Sequence, residues 1–261
     1  MIDIHSHILP GVDDGAADWE ETLALARAAA SDGIRTIVAT PHHANPKYWN
    51  YASEVKELTA QVNERLTAEG IELTVLPGQE IRVYDELLEA WSRGELLTLG
   101  GSDCVLLEMP SSSIPKGMAE LIHELRILGL RTIIAHPERN REVARDPRLL
   151  AELVDAGAYG QVTTHSLLGG FGRQIERVAW QLCQKGLIHV VSSDAHHIER
   201  RNFRLREAYE KIEKELGVSW RVYFERNAEQ LISGHPLENM PEAKVKETLK
   251  IWRKISNIFR H

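Results

Sequence analysis

A chain of 261 residues, 43% of them hydrophobic, can bury one sizeable core, and α/β barrels often fill this length as a single domain. With 31 Lys and Arg against 38 Asp and Glu the formal charge is -7, so the chain has no overall attraction for a polyanion and nucleic acid is not an expected partner. Two cysteines, Cys104 and Cys183, exclude a disulfide framework and suit buried thiols in a reducing compartment.

The sequence opens Met1-Ile2-Asp3-Ile4-His5-Ser6-His7 with neither a basic leader nor an apolar signal core, and no apolar run reaches membrane-spanning length, so a soluble cytoplasmic protein is expected. Short β-branched runs then recur about every thirty residues, the size of a strand-plus-helix unit. They begin near Ile2, Thr36, Leu73, Cys104, Thr132, Tyr159 and Ile188. Between them Trp19 to Ser31, Ala52 to Ala68, Asp85 to Trp91, Lys116 to Leu128, Leu149 to Asp155, Gln174 to Gln184 and Phe203 to Leu216 show helical spacing of apolar residues. Gly33, Gly70, Gly129, Gly157, Gly186 and Gly217 follow six of these helices, where a left-handed cap residue is wanted. Alternating units predict a parallel sheet with helices outside, and seven of them suggest closure into a barrel, with an open doubly wound sheet as the alternative.

Beyond Gly234 the pattern changes. Pro236 and Pro241 flank a short link, after which Val245, Leu249, Trp252, Ile255 and Phe259 trace one face of a last helix. Its other face is basic, with Lys244, Lys246, Lys250, Arg253, Lys254 and Arg260. We expect an appendage packed on its own barrel or on a second subunit; peripheral contact with an anionic membrane or an acidic partner is the other reading.

In a parallel barrel the C-terminal strand ends share one mouth, and candidate metal ligands fall at those ends. His5 and His7 close the first strand, two residues apart and so on one side of an extended chain. Asp13 and Asp14 follow in the first loop, His42 and His43 follow the second strand, and Glu80 the third. Glu108 ends the fourth, His136 the fifth, and Asp194 with His196 the seventh. A single His at a strand end is more often a hydrogen-bonded surface residue, but six strands of seven contributing such a residue is a different matter. Apolar runs precede Glu80 and Glu108, and unpaired acids beside a core are costly unless cations relieve them. Of each neighbouring pair one member is expected to be a ligand; for Asp13, His43 and His197 a passive role is favoured. Nitrogen and oxygen donors without thiolate suit zinc, manganese or iron, in a cluster of two or three ions. Such ions clamp phosphate oxygens and activate a bound water as nucleophile. Arg139 and Arg201, three and five residues past His136 and His196, offer planar forks matched to phosphate.

A cysteine-based tyrosine phosphatase needs an Arg six residues past its thiolate. Here those positions are Pro110 and His189, so neither Cys104 nor Cys183 fits.

The segments Met1-Ile2-Asp3-Ile4-His5-Ser6-His7, Val12-Asp13-Asp14-Gly15, Ala39-Thr40-Pro41-His42-His43, Pro77-Gly78-Gln79-Glu80, Leu107-Glu108, Ala135-His136-Pro137-Glu138-Arg139 and Ser193-Asp194-Ala195-His196 together resemble the polymerase-and-histidinol-phosphatase (PHP) superfamily. Within it the chain is similar to the CpsB/CapC (YwqE-like) family of bacterial manganese-dependent protein-tyrosine phosphatases, which act in capsule and exopolysaccharide regulation. The resemblance runs from Met1 to about Pro236. It implies an α/β fold, a distorted (β/α)7 TIM-like barrel over 1–236 with a short helical extension over 237–261, and a trinuclear centre, Mn2+ being the family's metal. By the same resemblance His5, His7, Glu80 and Asp194 would hold one ion. Glu80 would bridge to a second ion held by Glu108 and His136, while Asp14, His42 and His196 would hold a third. Arg139 and Arg201 would bind the phosphate of a phosphotyrosine protein, the family's usual substrate being the tail of a bacterial tyrosine autokinase. His165 departs from the family pattern, standing where a small residue is usual. Two other readings compete: another phosphoesterase of the superfamily, such as a histidinol-phosphate phosphatase or a nuclease-like enzyme, and a non-catalytic metal-binding scaffold that recruits the kinase.

Overall fold

The computed structural model describes residues 1–241. The strands are β1 (Ile2–Ser6), β2 (Thr36–Ala39), β3 (His42–His43), β4 (Thr74–Pro77), β5 (Glu80–Arg82), β6 (Cys104–Glu108), β7 (Arg131–Ala135), β8 (Tyr159–Thr163) and β9 (Val190–Ser192). All pairings between them are parallel, in one sheet ordered β1-β2-β4 and another ordered β3-β5-β6-β7-β8-β9. The seven predicted strands are therefore present, two of them in two pieces. Thr40-Pro41 interrupts the second, since Pro offers no N–H to a ladder, and Gly78-Gln79 interrupts the third. At Gly78 a Cβ would lie 2.7 Å from Val38 Cγ1, so only glycine lets the two broken strands lie this close. Ser6 bridges Ala195 in parallel, His7 N donates to Ala195 O at 2.8 Å and Asp194 N to His5 O at 2.9 Å. These bonds tie the last strand to the first and close the barrel.

The helices are α1 (Trp19–Asp32), α2 (Ala52–Ala68), α3 (Leu87–Ser92), α4 (Met118–Ile127), α5 (Arg141–Arg145), α6 (Arg148–Asp155), α7 (Thr164–Leu167), α8 (Arg173–Gln184), α9 (Leu205–Leu216) and α10 (Val218–Ile232). The predicted helices match α1, α2, α3, α4, α6, α8 and α9 to within about two residues at each end. Asp18 starts α1 by accepting from Glu20 N and Glu21 N at 2.9 and 3.0 Å. All six glycines named as helix stops have positive φ, from 64° at Gly70 to 111° at Gly157. The larger apolar cluster lies between strands and helices, with Ile37, Val75, Val105, Ile134, Val162 and Val191 on the strand side.

Helix α10 was not anticipated. A second, smaller cluster gathers Ile4, Val38, Leu106, Ile133 and Val190 from the strands with Ala228 and Leu231 of α10, so the C-terminal half of this helix covers the inward-facing strand residues as a plug, while Trp220, Tyr223 and Phe224 join the larger cluster. Asn227 anchors it, donating to His189 O at 2.7 Å and accepting from Glu238 N at 2.8 Å. Leu231 is fully buried in the plug, and Leu231→Ala is expected to cost about 2–5 kcal/mol, read as a lowered denaturant midpoint at unchanged slope. The predicted basic helix lies, from residue 242 on, outside the described residues. Among the described residues no helix is long and apolar enough to cross a membrane.

Candidate metal centre

The mouth is aimed by local irregularities in the strands. Between the pairings Asp3↔Ile37 and Ser6↔Ala39, β1 runs one residue longer than β2, a bulge that lets Ile4 join the barrel plug while the adjacent His5 turns into the mouth. His7 follows two residues on, and its Nε2 lies 3.3 Å from that of His5. The loop beneath is held by Gly15, where a Cβ would fall 2.1 Å from His7 O. His136 and Asp194, just past the ends of β7 and β9, have left-handed backbones with φ of 33° and 55°. Non-glycine residues adopt that region at a cost, and such strain collects at functional sites.

The structure brings all nine predicted ligands together in overlapping groups, with donor atoms within 4.8 Å of one another in each. They are His7, Asp14, His42 and His196; His5, His7 and Glu80; His5, His136 and Asp194; and His42, Glu80 and Glu108. His5 Nε2 lies 3.4 Å from Glu80 Oε2 and 3.3 Å from Asp194 Oδ1, and His7 Nε2 lies 3.3 and 3.4 Å from the same two oxygens. Glu80 turns its other oxygen to His136 Nε2 at 2.6 Å, while Oε2 also faces His42 Nδ1 at 2.9 Å. Asp14 Oδ1 lies 3.3 Å from His42 Nε2 and 3.4 Å from His196 Nε2. Glu108 groups with His42 and Glu80 rather than with His136; its Oε2 pairs with Arg82 Nη1 at 3.0 Å, a cation the sequence analysis missed.

These residues fit divalent ions. Two donors bonded at about 2.1 Å to one ion stand roughly 3.0–3.4 Å apart, which is the spacing found around His5 and His7. Among the described residues His42 Nδ1 and Glu80 Oε2 are buried 2.9 Å apart but form no well-aligned hydrogen bond, although buried polar groups rarely go unsatisfied. The donor set is imidazole and carboxylate, suited to manganese, iron or zinc.

Electrostatics follow from the crowding. Burial opposes the charge on His42, yet Glu80 and Asp14 outweigh it and raise its pKa to about 10. Burial likewise opposes charge on His7, and Asp13, Asp194 and Glu80 overcome it, raising that pKa well above the ordinary value. His136 and His196 go the other way, to about 4, through burial and then the positive charges of Arg139 and His7 respectively. Burial would raise Asp194, but Arg139, His5 and Arg201 hold it well below the usual carboxylate range. Glu108 is raised, by burial and by the charge of Glu80. His42 and His7 therefore carry protons at pH 7 that a metal must displace. Because their folded pKa values are raised, the stabilisation they give the metal-free protein is full below about pH 6.5 and is lost as pH rises through about 10 for His42. Metal uptake is accordingly expected to release protons and to tighten as pH rises from 6. Titration calorimetry at pH 7 in two buffers of different ionisation enthalpy checks this, and equal heats in both buffers would contradict it.

Both predicted arginines reach the mouth. Arg139 Nη2 and Arg201 Nη2 donate to the same oxygen, Asp194 Oδ2, the second at 2.5 Å. Three residues to which no active role was assigned support the ligands and the arginine turn. Asp13, expected to be passive, accepts from His7 Nδ1 at 2.7 Å and from His42 N at 3.2 Å, fixing the His7 tautomer that turns Nε2 to the centre. Gln161 Oε1 lies 3.1 Å from His5 Nδ1 and accepts from His136 N at 3.3 Å. The buried Glu138 accepts from Thr163 N and Ser166 Oγ at 3.2 and 2.6 Å, tying the end of β8 to the Arg139 turn. Glu138 carried no signal of its own, standing among mostly polar residues in His136-Pro137-Glu138-Arg139-Asn140, while Gln161 was a lone amide within the predicted strand Tyr159-Gly160-Gln161-Val162-Thr163. His43 is buried away from the donors, with Nδ1 bonded to Asn50 O at 2.8 Å, and His197 is exposed. His165 is buried at the rim beside Phe171. Cys104 and Cys183 are free and buried, and burial pushes the Cys104 thiol up to about 12 and raises that of Cys183 further, so neither is poised as a nucleophile.

A closed parallel barrel carrying histidines and carboxylates at its C-terminal mouth defines the class, a barrel of the PHP kind with a candidate metal centre. The chain belongs to the CpsB/CapC family, whose model, described as capsular polysaccharide synthesis, matches residues 1–233. It is 44% identical over 246 residues to the tyrosine-protein phosphatase YwqE of Bacillus subtilis, covering 94% of this chain and 97% of that one. It is 30% identical to the tyrosine-protein phosphatase CpsB of Streptococcus pneumoniae, covering 84% and 92%. A solved structure described among those of YwqE from B. subtilis and CpsB from S. pneumoniae, as unique metal-dependent tyrosine phosphatases, superposes with a TM-score of 0.90 at 44% identity. It covers 94% of this chain and 100% of that one.

Proposed function

We propose that this chain is a metal-dependent protein-tyrosine phosphatase whose centre is held by His5, His7, Asp14, His42, Glu80, Glu108, His136, Asp194 and His196. The observation that carries this reading is the meeting of their donor atoms beside two arginines that share one carboxylate oxygen. Its membership of the CpsB/CapC family and its likeness to YwqE support the same reading. Bound divalent ions supply Lewis acidity, neutralising phosphoryl oxygens and making water a nucleophile near neutral pH. Arg139 and Arg201 bind the phosphate. Asp194 Oδ2 accepts from both guanidiniums, and a phosphoryl group would offer them oxygens of greater charge. Asp13 and Gln161 hold His7 and His5 in the tautomers that turn Nε2 inward. The leaving group is a phenolate with a pKa near 10, so no side chain has to donate a proton to it.

Mn2+, as two or three ions, is the proposed metal, with iron and zinc as the other fits to this donor set. The proposed substrate is the phosphotyrosine tail of a bacterial tyrosine autokinase controlling capsule or exopolysaccharide synthesis, in the cytoplasm. We propose residues 1–236 as the catalytic unit, followed by a basic C-terminal segment over 237–261.

Rates on a phosphotyrosine peptide, histidinol phosphate and a short DNA strand, each after reloading with Mn2+, Fe2+ or Zn2+, test the reading. Fastest turnover of the peptide with Mn2+ is expected. Exclusive turnover of either other substrate would overturn the substrate class, and binding of a kinase tail without phosphate release would make the protein a scaffold.

A further inference from the structure

Phe171 lies half-buried at the mouth, on the turn Gly169-Gly170-Phe171-Gly172 between α7 and α8. The Arg139 guanidinium stands 5.0 Å from its ring centroid and that of Arg201 5.8 Å. His165 packs on the same residue, with ring centroids 5.7 Å apart. Gly170 N donates to His165 O at 2.8 Å, and a Cβ on Gly170 would come within 2.9 Å of His165 Cδ2, so the turn is pressed onto this histidine. An apolar ring is thereby fixed beside both cations assigned to phosphate. Hydrolysis of a phosphate monoester does not itself require one there.

A phosphate held by these arginines carries its organic group one ester oxygen away. If that group is an aryl ring, Phe171 stands within reach of the centroid separations of about 4.5–7 Å at which aromatic rings attract. A methylene in the same place presents far less surface. We propose that Phe171 is a specificity-determining residue that favours aryl over alkyl phosphates at this mouth by packing against the ring of the substrate. The inference rests on the assignment of Arg139 and Arg201 to phosphate.

Equilibrium binding of phenylphosphonate and methylphosphonate to the metal-loaded protein tests it without relying on turnover. The unmodified chain is expected to hold phenylphosphonate about five- to tenfold more tightly, with the ratio falling to about two in Phe171→Ala and Phe171→Leu and staying high in Phe171→Tyr. Phe171→Leu keeps the apolar bulk and hence the folded turn should the alanine variant lose it. A merely structural role would weaken both ligands alike, so an unchanged ratio in folded Phe171→Leu overturns the proposal. Failure of the arginine assignment appears separately, as methylphosphonate binding that Arg139→Ala leaves untouched.

Discussion

Exchanging Asp194 for asparagine is expected to lower kcat/KM on a phosphotyrosine peptide by on the order of 10³-fold or more and to strip metal from the purified protein. The side chain stands between two histidines and two arginines. Oδ1 lies 3.3 Å from His5 Nε2 and 3.4 Å from His7 Nε2, and Oδ2 accepts from Arg139 and Arg201. Asparagine keeps the outline and removes the charge to which both sets respond. It also leaves two guanidiniums without their counter-ion. The resulting loss of stability should fall below the about 3–5 kcal/mol of a fully buried broken pair, because 21% of the Arg139 side chain and 25% of that of Arg201 stay exposed. Elemental analysis beside steady-state kinetics is the check. A folded variant that kept both metal and turnover would take Asp194 out of the centre.

Arg139→Ala should behave differently, losing about 10²–10³-fold in kcat/KM while keeping its metals. The Arg139 guanidinium bonds the Asp194 oxygen turned away from the histidines, and Arg201 remains on that oxygen to neutralise it. Inhibition by inorganic phosphate should weaken in parallel, since the same fork holds product and substrate. If metal content fell with activity, Arg139 would instead be a support for the ligands.

Much of this centre was legible because a parallel barrel converts order along the chain into position: whatever follows a strand reaches the mouth. His5, Glu80, His136 and Asp194 could be placed there without knowing any contact between them. What strand-end logic cannot read is the partner of each residue. Asp13 and Asp14 are neighbours with the same side chain, yet the backbone turns one beneath His7 and the other outward toward His42 and His196. The breaks at Thr40-Pro41 and Gly78-Gln79 were signalled by Pro41 and Gly78, but as isolated breakers they do not say whether a strand ends or resumes. Helix α10 was missed although Trp220, Tyr223, Phe224, Asn227, Ala228 and Leu231 recur at helical spacing and are all buried. It follows α9 across the single residue Gly217, so no loop announces it, and Asn227 interrupts the apolar stripe for a reason, the carbonyl of His189, that only the folded chain reveals.

The left-handed backbone at His136 sets evolution and engineering against each other at one of the proposed ligands. Glycine would relax His136 by about 1 kcal/mol or more, so a library selected for thermal endurance alone should drift toward it there, whereas at Asp194 the lost pairing with Arg139 and Arg201 outweighs the same relief. Each such gain would remove a donor atom from the mouth. Screens that reward heat resistance without also demanding catalysis are therefore expected to return sturdier barrels that no longer work.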